Sequence, residues 1–356
     1  MEQPEPIRLI CDSGLEDVCA DEAYNRLHEL GVDSGSIEPG EPRSASVYLN
    51  VPPSALNSLH TVYHITHDLG KLTAEPDNMM EALSRWAAEA SIPGLDSAES
   101  FRVTVERIGE HPFRSPDAER TIGGVLFKRT TAGVNLNNPG LNLRIDIRDN
   151  TARMGIQLNR KSLDKRYSWV YRPRVTLRTT IAAAMLQLGK GHIKPDTPDD
   201  PDRILDPCCG SGTILLEAAR LYPESRIIGG DVDPDAVAGS LENALACGLA
   251  PRLHVHEWNA LYLEESLHEG SIDLMVTNTP FGIRLGAQLN FRDFYQQLLQ
   301  SAAYAVRPGG CLVLLIGRKR GLFNYILRDN PQWKQIDARV IDLGGSFPGL
   351  FALQRI

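Results

Sequence analysis

The sequence predicts an α/β protein: a mostly parallel seven-stranded sheet with helices on both faces fills the C-terminal half, and smaller α+β units precede it. Three observations predict this. From residue 203 short apolar runs alternate with helical patterns, which is how parallel strands joined by crossover helices read. A glycine-rich stretch, DPCCGSGT (Asp206–Thr213), joins the first run to the first helical segment. Earlier in the chain, apolar residues alternate with period two, as in strands buried on one face only.

The elements follow in order. Ile7–Cys11, a helix from about Gly14 to Leu30 and Ser46–Val51 form a small α+β unit. Phe101–Glu106 and Leu141–Ile147 alternate as half-buried strands. Between them Ser115-Pro116-Asp117 has the form of a helix start, with Ile122, Val125 and Leu126 facing inward. The stretch KGHIKPDTPDDPD (190–202) reads as a surface connection. Strands are then expected at Ile204-Leu205, Arg226–Gly230, Leu253–His256, Asp273–Asn278, Cys311–Ile316, Gln335–Ile341 and Phe351–Leu353. Helices are expected at 213–221, 234–247 and 291–306. The second helix has Asp233 as cap, Pro234 in its first turn, one face of Val237, Leu241 and Leu245, and Gly248 as its end. No helix is evident between the last two strands, so the sheet should end in a hairpin.

With 356 residues, two or three domains are expected at about 150 residues each. A composition of 42% hydrophobic and 23% charged residues supports a sizeable core. No apolar run approaches a membrane span, and MEQPEPIRLI has neither region of a signal peptide. Cysteines 11, 19, 208, 209, 247 and 311 include no C-x-x-C pair. Reduced thiols in a cytoplasmic protein are therefore expected, with no metal site. Net charge is −8, yet residues 102–178 hold 16 Lys+Arg against 7 Asp+Glu, a local +9 that leaves 21 − 38 = −17 elsewhere. That is the distribution of a localised polyanion-binding surface; charges spread over several solvated faces would give the same count.

The glycine loop excludes some ligands. No Lys-Ser/Thr pair follows in P-loop spacing, and Leu215 interrupts a full GxGxxG. Gly210 and Gly212 lie where backbone can approach an anionic group. The next strand ends in Asp231, 21 residues after Gly210, where a carboxylate can accept from two ribose hydroxyls. An adenosine-like ligand carrying a carboxylate fits better than a pyrophosphate. At the end of the fourth strand, NTPFG (Asn278–Gly282) offers an amide oxygen and a backbone carbonyl for an exocyclic NH2 and Phe281 for a planar base. A bare turn would read the same if it stood alone.

DPCCGSGT, GGDVD and NTPFG resemble motifs I, II and IV of class I S-adenosylmethionine-dependent methyltransferases. The resemblance implies that Asp206, Gly210, Ser211, Gly212 and Thr213 hold the methionine part of the cofactor and that Asp231, with Val232 beside it, holds the ribose. Asn259-Ala260 stands where a usual Asp-Ala contacts adenine. Asn278, which also borders the cofactor, would act on the target amine with Pro280 and Phe281. Thr279 replaces the first proline of the motif, and losing that ring should loosen the orienting carbonyl.

GEHPFRSPDAER and the basic helix after it resemble a THUMP domain, and the opening 60 or so residues resemble the ferredoxin-like unit that precedes one. RPRVTLRTTIAAAML resembles the helix entering the methyltransferase domain; FGIRLG and GGSFPGLF resemble later segments. Together they are similar to tRNA guanine-N2 methyltransferases of the TrmN type, which form N2-methylguanosine at position 6 of the acceptor stem. The implied division is a ferredoxin-like domain (1–65), a THUMP RNA-binding domain (66–165), a linker (166–178) and a Rossmann-like methyltransferase domain (179–356). The resemblance implies S-adenosyl-L-methionine as cofactor, tRNA as partner, and Arg114, Lys128, Arg129 and Arg284 as RNA contacts. A monomer with no membrane partner is expected. Alternatives are guanine-N2 methylation of ribosomal or other RNA, adenine-N6 methylation of DNA, protein-glutamine methylation, and a non-catalytic RNA-binding subunit.

Overall fold

The computed structural model describes residues 5–33, 35–40, 44–174, 176–193, 202–279 and 290–356. Two compact units emerge, Met1–Cys11 with Ala23–Leu163, and Asp12–Glu22 with Asp164–Ile356. None of the described helices is long and apolar enough to cross a membrane.

In the first part of the chain the elements are β1 (Glu5–Cys11), α1 (Glu16–Glu29), β2 (Glu38–Pro39), β3 (Ser46–Val51), β4 (Val62–Thr73), α2 (Met79–Glu89), β5 (Ser100–Ile108), α3 (Ser115–Phe127), β6 (Gly133–Val134), β7 (Leu141–Arg148) and β8 (Thr151–Gln157). The strands form one sheet in the order β2-β3-β1-β4-β8-β7-β5-β6. One face carries Phe101, Val103, Leu143, Ile145 and Met154 against Leu83 of α2 and Ile122 and Leu126 of α3. Val125 is only half-buried at the edge of this core. The other face is polar. Arg8 of β1 is 2% exposed and reaches Asp146 of β7 at 2.6 Å; between their strands Gly155 lies close against Thr66, where a Cβ would sit 3.0 Å from the Thr66 Cβ. Burial pushes the Asp146 carboxyl up, but Arg8 and Arg144 outweigh it and hold the group below its ordinary value.

The boundary expected between residues 65 and 66 falls inside β4, and β4 pairs antiparallel with β8. The two N-terminal domains expected from sequence thus share a continuous sheet. Strand β4 escaped sequence reading because its alternation breaks: Gly70 has φ +106° and the register shifts between Asp68 and Lys71, the signature of a bulge.

The second part contains α4 (Thr179–Gly189), β9 (Arg203–Asp206), α5 (Thr213–Leu221), β10 (Arg226–Asp231), α6 (Pro234–Ala246), β11 (Leu253–Glu257), β12 (Ile272–Asn278), α7 (Phe291–Ala305), β13 (Val306–Ile316), α8 (Arg320–Arg328), β14 (Trp333–Val340) and β15 (Gly349–Arg355). The seven strands are ordered β11-β10-β9-β12-β13-β15-β14, parallel except that β15 runs antiparallel to both neighbours. Successive residues alternate between two cores. Ile204, Leu274, Val276 and Val313 face the side of α4 and α5. Leu205, Met275, Leu312 and Leu314 face that of α7 and α8. Burial on both sides explains the continuous apolar runs. The expected linker is part of this unit: Tyr167 is buried in the first core, and Trp169 packs on it.

Helix α6 corrects a sequence expectation. Its buried face is Ala236, Gly239, Ser240, Asn243 and Ala244, while Leu241 and Leu245 are 37% and 72% exposed. Small residues let the helix approach its neighbours: a Cβ on Gly239 would lie 2.1 Å from the Tyr171 ring. Close approach outcompetes the leucine stripe.

Candidate active site

Strand order reverses around β9. Its connections leave through β10 and β11 on one side and β12 on the other. Such a switch point opens a crevice at the carboxyl ends of the strands, where Asp206, Asp231 and Asn278 end β9, β10 and β12.

The glycine loop is shaped by its own hydrogen bonds. Gly210 donates its N–H to Asp231 Oδ2 at 2.9 Å, and Gly212 donates to the Cys209 carbonyl at 2.8 Å. Gly212 precedes α5 with φ +81°, and a Cβ there would lie 3.1 Å from Ser240 Cβ. Gly210 has φ +52° with open space on its Cβ side. Ser211 and Thr213 are buried, their hydroxyls 3.3 Å apart. The loop N–H groups read as facing an anion are thus committed internally at both glycines.

Asp231 also accepts the Asp233 N–H at 3.1 Å, so each carboxylate oxygen holds one backbone donor and keeps a lone pair. Asp233 caps α6 by accepting from Asp235 N–H. Val232 is 65% exposed. Trp258 lies across Gly230, where a Cβ would sit 1.9 Å from its indole nitrogen, and donates to the Pro207 carbonyl at 3.4 Å. Asn259 is exposed and accepts the Leu261 N–H at 3.0 Å, which closes a turn; Ala260 is buried behind it.

Asn278 Oδ1 is buried and has no partner among the described residues. Thr279 is 2% exposed and donates both its hydroxyl, at 2.8 Å, and its N–H, at 3.2 Å, to the Leu315 carbonyl. The expected loosening at Thr279 is therefore corrected. A proline lacks both donors, whereas the threonine is tied twice to β13. Pro280, Phe281 and Arg284 lie outside the described residues.

Asp206 is 1% exposed. Burial pushes its carboxyl up to about 7; the Cys208 N–H and Thr277 pull it back, and Asp231 adds to the rise. Burial, then Asp206 and Asp231, also hold the Cys208 and Cys209 thiols protonated, so neither is a thiolate nucleophile.

Asn243 and Trp258 were missed from sequence. Asn243 is fully buried; its Oδ1 accepts the N–H groups of Val170 and Tyr171 at 2.8 and 2.9 Å. Its Nδ2 donates to the carbonyls of Tyr171 and Ser211 at 2.7 and 3.0 Å. The signal was present: Asn243 falls at i+4 from Gly239, on the small-residue face.

The expected RNA contacts divide. Arg129 donates to the carbonyls of Ala87, Ala88 and Ala90 at 2.6, 2.9 and 2.8 Å. Its guanidinium satisfies the end of α2, so this arginine serves the fold. Arg114 is 81% exposed and paired with Asp117, which also accepts its N–H as the reciprocal cap of α3. Lys128 is exposed. Arg144 pairs with Asp146 and Glu106, and Arg153 with Asp68. Arg144 is thus held by acids already counted in the local balance, and Arg153 by one outside it.

A seven-stranded sheet of this order, with a glycine loop, an acidic strand end and an asparagine at the switch point, defines a class I methyltransferase domain. Residues 169–348 match the family described as RMKL-like, methyltransferase domain, and residues 76–157 match the THUMP domain. The chain belongs to this family of THUMP-bearing RMKL-like methyltransferases. It is 33% identical over 301 residues to the tRNA (guanine(6)-N2)-methyltransferase of Thermus thermophilus, covering 84% of this chain and 85% of that one. It is 30% identical over 270 residues to the Bos taurus tRNA (guanine(6)-N(2))-methyltransferase THUMP3, spanning 51% of that protein. The crystal structure of TrmN from Thermus thermophilus superposes with a TM-score of 0.73 at 30% identity, covering 99% of both chains.

Proposed function

We propose that this protein is an S-adenosylmethionine-dependent tRNA methyltransferase that forms N2-methylguanosine, at position 6 of the acceptor stem, acting as a cytoplasmic monomer. The observation that carries the reading is Asn278 Oδ1, a buried acceptor without a partner among the described residues, at the switch-point end of β12. The relatives named for guanine-N2 methylation support the substrate.

The residues present fit the cofactor: open space at Gly210, spare lone pairs on Asp231, and at Asn278 an acceptor without a partner among the described residues. Asp206 and the loop from Gly210 to Thr213 would hold its methionine part, Asp231 and Val232 its ribose, and Asn259-Ala260 its adenine. When bound, the cofactor supplies a methyl group activated on a sulfonium. Asn278 accepts an N–H of the target amine, with the Thr279–Pro280 backbone as second acceptor and Phe281 against the base. Those bonds favour an electron-rich, pyramidal nitrogen over one conjugated with the ring. Fixed acceptors and positioning are the levers available. A base paired in the acceptor stem must first be turned out, at a cost of a few kcal/mol. Lys128, Arg114 and Arg284 would hold RNA backbone.

The test is methyl transfer from labelled cofactor to unmodified tRNA transcripts, with the product nucleoside identified by mass spectrometry. N2-methylguanosine should form, vanish when G6 is replaced, and fall about 10²–10³-fold with Asn278→Ala while cofactor binding persists. Transfer only to another RNA would overturn the tRNA assignment; a protein that binds no cofactor would overturn the enzyme.

A further inference from the structure

The end of β13 brings an unassigned cluster of cations beside the target-base site. Residues 317–328, GRKRGLFNYILR, hold four Lys+Arg and no Asp or Glu in a chain of net charge −8. Asn278 pairs with Leu315 in the parallel register, and Thr279 donates twice to the Leu315 carbonyl. Arg318 and Lys319 therefore emerge next to the strand end that carries Asn278. Tyr295 of α7 donates its hydroxyl to the Arg318 carbonyl at 2.6 Å, which fixes where this turn leaves the sheet.

Lys319 stands at φ +54°, ψ +33° immediately before α8. A left-handed lysine is strained where glycine or asparagine would not be, and strain of this kind collects at functional sites. Nearly two helical turns on, Tyr325 is 50% exposed, with the guanidinium groups of Arg292 and Arg328 5.5 Å and 5.4 Å from its ring centre. Two carboxylates border the cluster: Asp293 accepts from Asn290 at 2.6 Å, and Asp329 pairs with Arg328 at 3.6 Å in an exposed ion pair that a phosphate can exchange for at little cost.

We propose that Arg292, Arg318, Lys319, Tyr325 and Arg328 form an RNA-backbone contact on the catalytic unit itself, beside the target base. The inference rests on the RNA-methylating reading above. Exposed cations supply phosphate contacts, and a half-exposed ring held by guanidinium groups supplies a stacking platform. An acidic peptide would need the cations but not the ring. This contact would hold the strand near the reacting nucleotide, where positioning has most effect on rate.

The experiment compares wild type with the triple variant Arg292→Gln/Lys319→Asn/Arg328→Gln and with Tyr325→Ala and Tyr325→Phe. Asparagine is chosen because it tolerates the left-handed backbone. Each is measured for tRNA Kd across a salt series, KM for tRNA, cofactor Kd and Tm. The triple variant should bind tRNA roughly tenfold or more weakly, with a log–log salt slope shallower by roughly two, the share of Arg292 and Lys319, unpaired among the described residues. Its cofactor Kd and Tm should not move. Tyr325→Ala should raise KM, and Tyr325→Phe should restore it. Unchanged tRNA affinity and slope in the triple variant would overturn the contact, and a phenylalanine as defective as alanine would overturn the stacking. Wild type that methylates tRNA beside an unaffected triple variant sinks this inference alone. Wild type that methylates no RNA sinks the enzymatic reading, and the salt series then still judges the patch by binding.

Discussion

Asp206 is the residue whose chemistry most depends on its surroundings. Its carboxyl is raised from 3.8 to about 7, so the folded state keeps a proton that the unfolded chain releases. Its stabilising contribution is complete below 3.8 and is lost as pH rises from there through about 7. An ammonium from the cofactor would compensate the charged form. Cofactor affinity should therefore rise about tenfold between pH 6 and 8, the ratio of ionised fractions around 7. Asp206→Asn should bind more weakly with no such rise, measured by calorimetric titration across that range. Lys128 and Arg129, adjacent in sequence, should separate by the same logic. Arg129→Ala leaves three carbonyls at the end of α2 without their donor. It should lower stability by about 1–3 kcal/mol and change RNA affinity little. Lys128→Ala should leave Tm unchanged and flatten the salt dependence of RNA binding.

Elements cooperate around Asn243. One buried amide on α6 satisfies the Val170–Tyr171 backbone on one side and the Ser211 carbonyl of the glycine loop on the other. Asn243→Ala would leave several buried groups unmet, a loss of about 3 kcal/mol or more. Thermal denaturation should show it. Because the loop loses its tether, KM for the cofactor should rise more than kcat falls. Asn243→Asp keeps the accepted bonds but sets a buried carboxyl oxygen against the Tyr171 and Ser211 carbonyls, so it should cost at least as much stability as alanine. The same helix explains a misread pattern: apolar residues at i, i+4 and i+8 normally mark the inward face, yet small residues win where a helix must lie close to a loop. Helix α8 was missed for a related reason. It is only nine residues long and starts from a left-handed lysine, not from a capping residue.

Across the whole molecule, charge is distributed by sheet chemistry as much as by RNA. Arg8, Arg144 and Arg153 alternate with Asp68, Asp146 and Glu106 on the polar face of the eight-stranded sheet. These arginines cannot release counterions from RNA, because they already face carboxylates. With Arg144 and Arg153 so held, the log–log slope of tRNA affinity against salt should be shallower than sixteen basic residues in 102–178 would give, at about 0.9 per neutralised phosphate. A filter-binding series from 50 to 200 mM salt measures it; a slope matching all sixteen would show that those pairs open on binding.

The sequence by itself determined the seven-stranded sheet, the order of its motifs and the kind of ligand. Those depend on local signals: apolar runs, glycines at strand ends, and an acid and an amide at regular places along the chain. The tertiary structure alone decided which charges are free, which face of α6 is buried, and that Thr279 is held twice by β13. It also joined the two N-terminal units through β4 and β8 and brought Arg318 and Lys319 beside Asn278. Each of these depends on partners far apart in the chain, and side-chain identity carries no record of the partner it will meet.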